Sequence, residues 1–312
     1  MNLHRLLGQR LEAGKPVRVG LIGAGKFGSM FLAQVPTTPG IEVAAIADLA
    51  PDRAREACRR VGWTEERIAA TRFSDDAMAM MAGDVEVVVE ATGHAPAGIA
   101  HARRAIAEGR HIVMVNVEAD VLAGAALARE AAAAGVVYSL AYGDQPALIC
   151  ELVDWARACG FRVLAAGKGT KYLPQYHAST PATVWGHYGV TEAQARAGGM
   201  NPQMFNSFLD GTKSAIEMAA VANATGLGVP QDGLEFPPFG THELADGLGV
   251  MRGQVEVVSS LHRDGRDVAN DLRWGVYVVF EAPVITPRNA SGNMACGPMR
   301  RGGSRRCTGR ST

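Results

Sequence analysis

The chain is poor in lysine, in aromatic residues and in long apolar runs. Lysine occurs five times, at positions 15, 26, 168, 171 and 213, while arginine supplies the rest of the 31 basic residues. Phe, Trp and Tyr together make up 6%. A chain so short of large rings, and rich in Ala and Gly, suits helices packed closely on a parallel sheet. No apolar run approaches the roughly 20 residues needed to span a bilayer. The polar, amphipathic stretch 1–16 has no apolar run of the kind that marks a secretory signal. A cytoplasmic protein without a membrane partner is therefore expected. The cysteines, Cys58, Cys150, Cys159, Cys296 and Cys307, are odd in number and show no C-x-x-C spacing, which argues against a disulfide framework or a zinc site. Net charge is also lacking: 31 basic residues face 31 acidic ones, so no global field favours nucleic acid. The balance hides an asymmetry, because positions 284–312 hold six Arg with no Lys and no acid.

With 312 residues and 47% hydrophobic content, the chain can build one large or two medium domains. Short, predominantly apolar runs at 17–22, 42–47, 85–89, 112–115 and 136–140 read as strands of a buried parallel sheet. Helical segments lie between them at 26–34, 52–61, 76–81, 94–108 and 118–134. This alternation predicts an α/β fold whose N-terminal half is a doubly wound parallel sheet. The pattern then changes to helices at 146–159 and 213–225 and strands at 161–166, 254–261 and 273–280. Between them, 167–204 is too long for a simple connection and reads as a functional region. The expected organisation is a dinucleotide-binding domain over 1–143 and an α+β substrate and catalytic domain over 144–283. The remaining 284–312 has no periodicity. It reads either as a disordered tail or as the product of a coding frameshift, and the abruptness of the change favours the second.

Gly23-Ala24-Gly25-Lys26-Phe27-Gly28 follows the first strand and opens the first helix of the sheet, the context that gives a G-x-G-x-x-G run its meaning. Gly23 permits the tight turn, Gly25 lets backbone approach a pyrophosphate, and Gly28 lets helix and strand pack closely. The helix N-terminus, including Lys26 and Phe27, offers N–H groups and a positive dipole end to phosphates. Asp48 ends the next strand 20 residues after Gly28, where a carboxylate accepts ribose hydroxyls, so NAD is indicated. Arg53 stands near enough to meet a 2′-phosphate, so NADP stays open. Thr92 and Gly93, in Glu90-Ala91-Thr92-Gly93, lie where ligands of open sheets bind. Asn116 ends the following strand and points to the same crevice, or caps a helix; Glu118 reads equally as a cap. This is a Rossmann domain for a nicotinamide dinucleotide.

The Rossmann half resembles homoserine dehydrogenase in its glycine turn, its Glu-Ala-Thr-Gly strand end and its Asn-bearing strand end. Three further segments, 141–147, 167–174 and 208–213, resemble the homoserine dehydrogenase-like oxidoreductases that usually carry a C-terminal SAF domain. That branch includes 1-deoxy-D-xylulose 5-phosphate reductoisomerase-like enzymes and sugar-acid oxidoisomerases. The similarity spans about 17–283. Two departures stand out. Homoserine dehydrogenases have Lys directly after the Asn, where this chain has Val117, and the family's chain continues past the Glu-Ala-Pro segment. The resemblance implies an NAD(P)-dependent oxidoreductase acting on CH–OH groups of a small polar hydroxy or keto substrate, with reductoisomerase chemistry on a sugar phosphate or sugar acid as one form. Homoserine dehydrogenase itself and a catalytically inactive dinucleotide-binding protein are the alternatives.

Hydride transfer to a carbonyl needs a proton donor and a cation near the developing alkoxide. Three of the five lysines fall in the second half. Lys168 and Lys171, at an expected strand end, are placed to clamp a phosphate or carboxylate. Asp210 and Lys213, one turn apart at an expected helix start, are placed to face one pocket and handle the proton. They echo the Asp and Lys pair of homoserine dehydrogenases with a spacing that differs by one. Asp144 would orient substrate, and Glu217 reads equally as a surface ion-pair partner of Lys213. His177, His187 and His242 lack metal-ligand spacing and read as structural, and no metal is expected; Glu243 and Asp246 beside His242 are a weak cation candidate. The expected partners are an anionic small molecule and further copies of the chain.

Overall fold

The computed structural model describes residues 2–283 and 304–311. The chain divides into two compact units, Met1–Tyr142 and Gly143–Thr312.

The first unit opens with a short amphipathic helix, α1 (Leu3–Glu12), and then alternates: β1 (Val17–Ile22), α2 (Lys26–Gln34), β2 (Ile41–Ala47), α3 (Pro51–Arg60), α4 (Glu65–Ala70), β3 (Arg72–Ser74), α5 (Ala77–Met81), β4 (Val87–Glu90), α6 (Ala95–Ala107), β5 (His111–Met114), α7 (Val117–Ala133) and β6 (Tyr138–Leu140). The strands form one sheet in the order β3-β2-β1-β4-β5-β6. Every pair is parallel. The order runs outward in both directions from β1, so helices cover both faces and the two halves diverge between β1 and β4, the crevice where such sheets bind ligands. One face buries Ile22, Val88, Ile112 and Met114 against α5, α6 and α7. The other buries Leu21, Val43, Ile46 and Val89 against α2 and α3. The α/β doubly wound fold read from the sequence is the fold observed. Two elements were not expected: α4, capped by Thr64, and the three-residue edge strand β3.

The second unit contains α8 (Gln145–Ala158), β7 (Arg162–Thr170), α9 (Val184–Tyr188), α10 (Glu192–Ala197), α11 (Pro202–Leu209), α12 (Thr212–Thr225), α13 (Leu244–Gly247), β8 (Gln254–Ser259), β9 (Val276–Pro283) and β10 (Ser304–Ser311). Its sheet runs β10-β9-β7-β8, with β7 parallel to β8 and antiparallel to β9. Helices α8 and α12 bury Ile149, Val153, Met218 and Val221 on one face, among Val163, Val255 and Val278. Leu244 and Leu248 cover the other face with Leu164, Val258 and Val279. The long stretch expected as irregular is largely structured: β7 takes its first four residues, and α9, α10 and part of α11 form a small cluster around Tyr176, Trp185 and Leu209. Of the expected tail, 284–303 and Thr312 lie outside the described residues. Where no element was expected, Ser304–Ser311 pairs antiparallel with β9.

Candidate functional site

In the first unit a cavity of about 840 Å³ opens at the C-terminal edge of the sheet, with Gly23, Gly25, Asp48, Arg53, Thr92 and His101 among its lining residues. The turn that forms its floor is built by glycine. Gly23 sits at φ 92°, a left-handed conformation that an L side chain adopts only under strain. A Cβ on Gly28 would run into the Gly23 carbonyl oxygen, so α2 can lie this close to β1 only without one. At Gly25 a Cβ would meet nothing within 4 Å, which leaves room for a ligand against bare backbone. Gly25 gives α2 no side-chain cap, so the first-turn N–H groups are open to whatever binds there.

Asp48 does more than its position suggests. Its Oδ2 accepts from the N–H of Ala24 at 2.9 Å and its Oδ1 from Ala50 at 2.9 Å. The carboxylate therefore fastens the glycine turn to the end of β2 while still lining the cavity. Arg53 stands 3.8 Å from Asp48, with its side chain 77% exposed, free to swing toward a ligand. Thr92 lines the cavity; Asn116 does not. Asn116 is 2% exposed and caps α7 through Oδ1 to the Ala119 N–H at 3.2 Å, while its Nδ2 donates to Thr92 Oγ1 at 3.4 Å. It supports the crevice from behind. Gly93, at φ 67°, and Lys26, Phe27 and Gly28 also stay off the cavity wall. Between β6 and α7, Tyr138 donates to Asp120 at 2.7 Å. Burial pushes the Asp120 carboxyl above its usual range, against the pull of that hydrogen bond.

In the second unit a smaller cavity of about 390 Å³ holds Asp144, Gln145, Lys168, Lys213, Glu217 and Trp274 among its walls. Lys168 and Lys213 share one carboxylate. Lys168 Nζ bonds Glu217 and, at 3.0 Å, Gln145 Oε1; Lys213 Nζ lies 3.5 Å from Glu217 Oε1. The Lys168 and Glu217 side chains are 7% and 3% exposed, and that of Lys213 is 24%. Two cations on one buried anion leave the cluster one positive charge in excess. Asp144 caps α8, with Oδ1 accepting from the Gln145 N–H at 3.0 Å. Gln145 also donates through Nε2 to the Trp274 carbonyl at 2.9 Å. Trp274 is at φ 65°, a strain of about 1–3 kcal/mol that such a tether helps hold.

Several expected placements change. Lys168 does not end a strand: β7 runs on to Thr170 and encloses it. Lys171 is turned away from the cavity, with Nζ on the His187 carbonyl at 3.1 Å and near the rings of Tyr176 and Tyr188. Asp210 and Lys213 do not share a helix, because Gly211 at φ 91° separates α11 from α12. Asp210 instead ends α11, its carboxylate accepting from Asn206 Nδ2 and the Thr212 N–H, each at 2.8 Å. Glu217 is a buried hub and not a surface partner. His177 contacts the Asp210 carbonyl at 3.0 Å, and His187 packs on Tyr176. Among the described residues no three His, Cys, Asp or Glu side chains gather as a metal site, and no helix is long and apolar enough to cross a membrane. Gln145, Trp274 and His101 were missed. Gln145 had a signal, its place in the Asp-Gln-Pro segment, and so did His101, on the face of α6 shared with His94.

A family model described as the catalytic domain of oxidoreductase DRL matches residues 143–301, more than half of the chain and past Pro283. A second, the NAD-binding domain of homoserine dehydrogenase, matches 23–140. The first unit is thus an NAD(P)-binding domain. Among solved structures, a homoserine dehydrogenase from Thiobacillus denitrificans is 21% identical, with 69% of this chain and 50% of that one covered and a TM-score of 0.48. The WlbA dehydrogenase from Bordetella pertussis, in complex with NADH and UDP-GlcNAcA, is 22% identical, with 53% and 51% covered and a TM-score of 0.38. The apo scyllo-inositol dehydrogenase from Lactobacillus casei is 12% identical, with 85% and 72% covered and a TM-score of 0.42. The chain spans about half the length of the first two. No curated protein matches it.

Proposed function

The chain belongs to the oxidoreductase DRL family, and from that premise we propose that it acts on a CH–OH or keto group of a small, polar, anionic substrate, with the second-unit cavity as the place of chemistry. The observation that carries this reading is the pair of lysines on one buried carboxylate, Lys168 and Lys213 on Glu217. When bound, the nicotinamide cofactor supplies or accepts the hydride. The residues of the chain handle charge and protons. A carbonyl reduced in the cavity gains negative charge on oxygen. Lys213, the more accessible lysine, holds a cation and a proton toward that oxygen. Lys168, gripped by Glu217 and Gln145, is a fixed charge that receives the carboxylate or phosphate of the substrate. Asp144 orients a substrate hydroxyl from the rim. Lys171 and Asp210 have no part in this assignment, since neither lines the cavity. A reductoisomerase acting on a sugar phosphate or sugar acid is the form of the reaction we favour.

Purified protein is offered 2-keto acids and keto-sugar phosphates with NADH or NADPH, and sugar acids and L-homoserine with NAD+ or NADP+, and nicotinamide absorbance is followed. Turnover of an anionic keto or hydroxy compound is expected. Lys213→Ala should abolish it and leave NADH affinity unchanged. If the cofactor binds and no member of the panel reacts, the catalytic reading fails and a non-catalytic dinucleotide-binding protein takes its place.

A further inference from the structure

The cofactor cavity has a polar assembly on its wall that the phosphate turn does not use. Glu90 ends β4 with its carboxylate fully buried. Its Oε1 accepts from Thr92 Oγ1 at 2.5 Å and lies 3.2 Å from Nδ1 of His101. Its Oε2 has no partner among the described residues. His94, which caps α6, and Ala97 and His101 within the helix recur at helical spacing, and all three line the cavity. Gly98 lets the helix descend onto the carboxylate: a Cβ there would stand 2.7 Å from Asn116 Nδ2 and 3.2 Å from Glu90 Oε2.

A carboxylate only accepts, so the His101 nitrogen that faces it carries the hydrogen. The other nitrogen, Nε2, makes no hydrogen bond among the described residues and is not an enclosed atom. Free imidazole prefers the opposite tautomer. We propose that Glu90 is a positioning residue of the dinucleotide site: it holds His101 in the Nδ1–H tautomer, so that Nε2 accepts a hydrogen bond from a hydroxyl or amino group of the cofactor. The same carboxylate accepts the Thr92 hydroxyl hydrogen, and the Thr92 oxygen in turn accepts from Asn116 Nδ2 at 3.4 Å and from the His94 N–H at 3.3 Å, so the threonine is satisfied within the wall. The open acceptor is His101 Nε2, which recognises a donor group and not a phosphate oxygen. The inference rests on the cofactor lying in this cavity.

Two measurements test it. Nitrogen-15 spectra of the wild-type protein should show neutral His101 as the Nδ1–H tautomer, and Glu90→Met, which removes the acceptor, should shift it toward Nε2–H. NADH titrations should give about tenfold weaker binding for His101→Phe and for Glu90→Met, the loss of one well-placed hydrogen bond. The double variant should bind no more weakly than His101→Phe, because both changes remove one contact. An Nε2–H tautomer in the wild type, unchanged NADH affinity of His101→Phe with only its melting temperature lowered, or additive losses would each overturn the proposal. Gly25→Asp serves as the arm for the site itself: it should lose NADH in every background, and retained binding would overturn the cofactor's placement and this inference with it.

Discussion

Two of the glycines in the phosphate turn do different work, and single substitutions separate them. At Gly25 the backbone is at φ −70° and a Cβ meets nothing within 4 Å. Aspartate is also a favoured N-cap, so Gly25→Asp should leave melting unchanged or slightly raised. Its carboxylate, however, occupies the place of the pyrophosphate. A like charge about 4 Å from a phosphate, at the effective dielectric of a protein surface, opposes binding by about 4 kcal/mol. That corresponds to roughly three orders of magnitude in Kd. At Gly28 the obstacle is the Gly23 carbonyl oxygen, which is backbone and cannot rotate away, with Leu21 Cδ2 3.5 Å off. Even Gly28→Ala must push α2 away from β1, an overpacking of about 1–3 kcal/mol, or several degrees of melting temperature. Scanning fluorimetry and NADH titration read the two effects separately. Wild-type affinity in Gly25→Asp would show that the phosphates lie elsewhere. Wild-type melting in Gly28→Ala would refute the packing argument.

Lys168→Met leaves the buried Glu217 with only the more distant Lys213, and should lower unfolding stability in urea by about 3–5 kcal/mol, whereas adding Glu217→Leu should restore most of it. The folded Asp120 carboxyl sits above its unfolded value of 3.8, so the native state binds more protons above that pH and stability falls as pH rises through the folded value; Asp120→Asn should flatten this slope in urea titrations run upward from about pH 4. Burial pushes the Cys58 thiol up to about 11, so peptide mapping after alkylation near neutral pH should find Cys159, which is exposed, labelled and Cys58 not.

The strands of the first unit were legible because burial on both faces demands apolar residues, and Val87, Val88 and Val89 and the run from Val43 to Ala47 supply them. β3 was not, since three residues at a sheet edge leave no periodicity to read. In the second unit Gly167-Lys168-Gly169 looks like a turn. The glycines are there for another reason: a Cβ at either would strike a carbonyl, of Glu256 or Leu272, so the strand passes close to other backbone. Lys168 can be buried within it because Glu217, 49 positions further on, meets its charge. Local patterns cannot register a partner at that distance. The break between Asp210 and Lys213 hinged on Gly211 taking a left-handed conformation, which spacing alone did not disclose. At the first-unit cavity the glycine turn and Asp48 could be placed from position alone. Glu90 and His101 did not, because a carboxylate at a strand end and a histidine on a helix acquire their relation only when α6 folds back over β4.

Trp274 has a use beyond shaping its cavity. The four tryptophans differ sharply in environment: Trp63 and Trp185 are 6% and 8% exposed, Trp155 is 46% and Trp274 is 63%. The indole at the cavity edge is thus the one most relaxed by water, and it dominates the red side of the emission band. On the proposed assignment, a compound that settles against Lys168 and Lys213 should dry that indole and move its emission to the blue. Trp274 would then serve as an optical gauge of occupancy, readable without turnover and without a label.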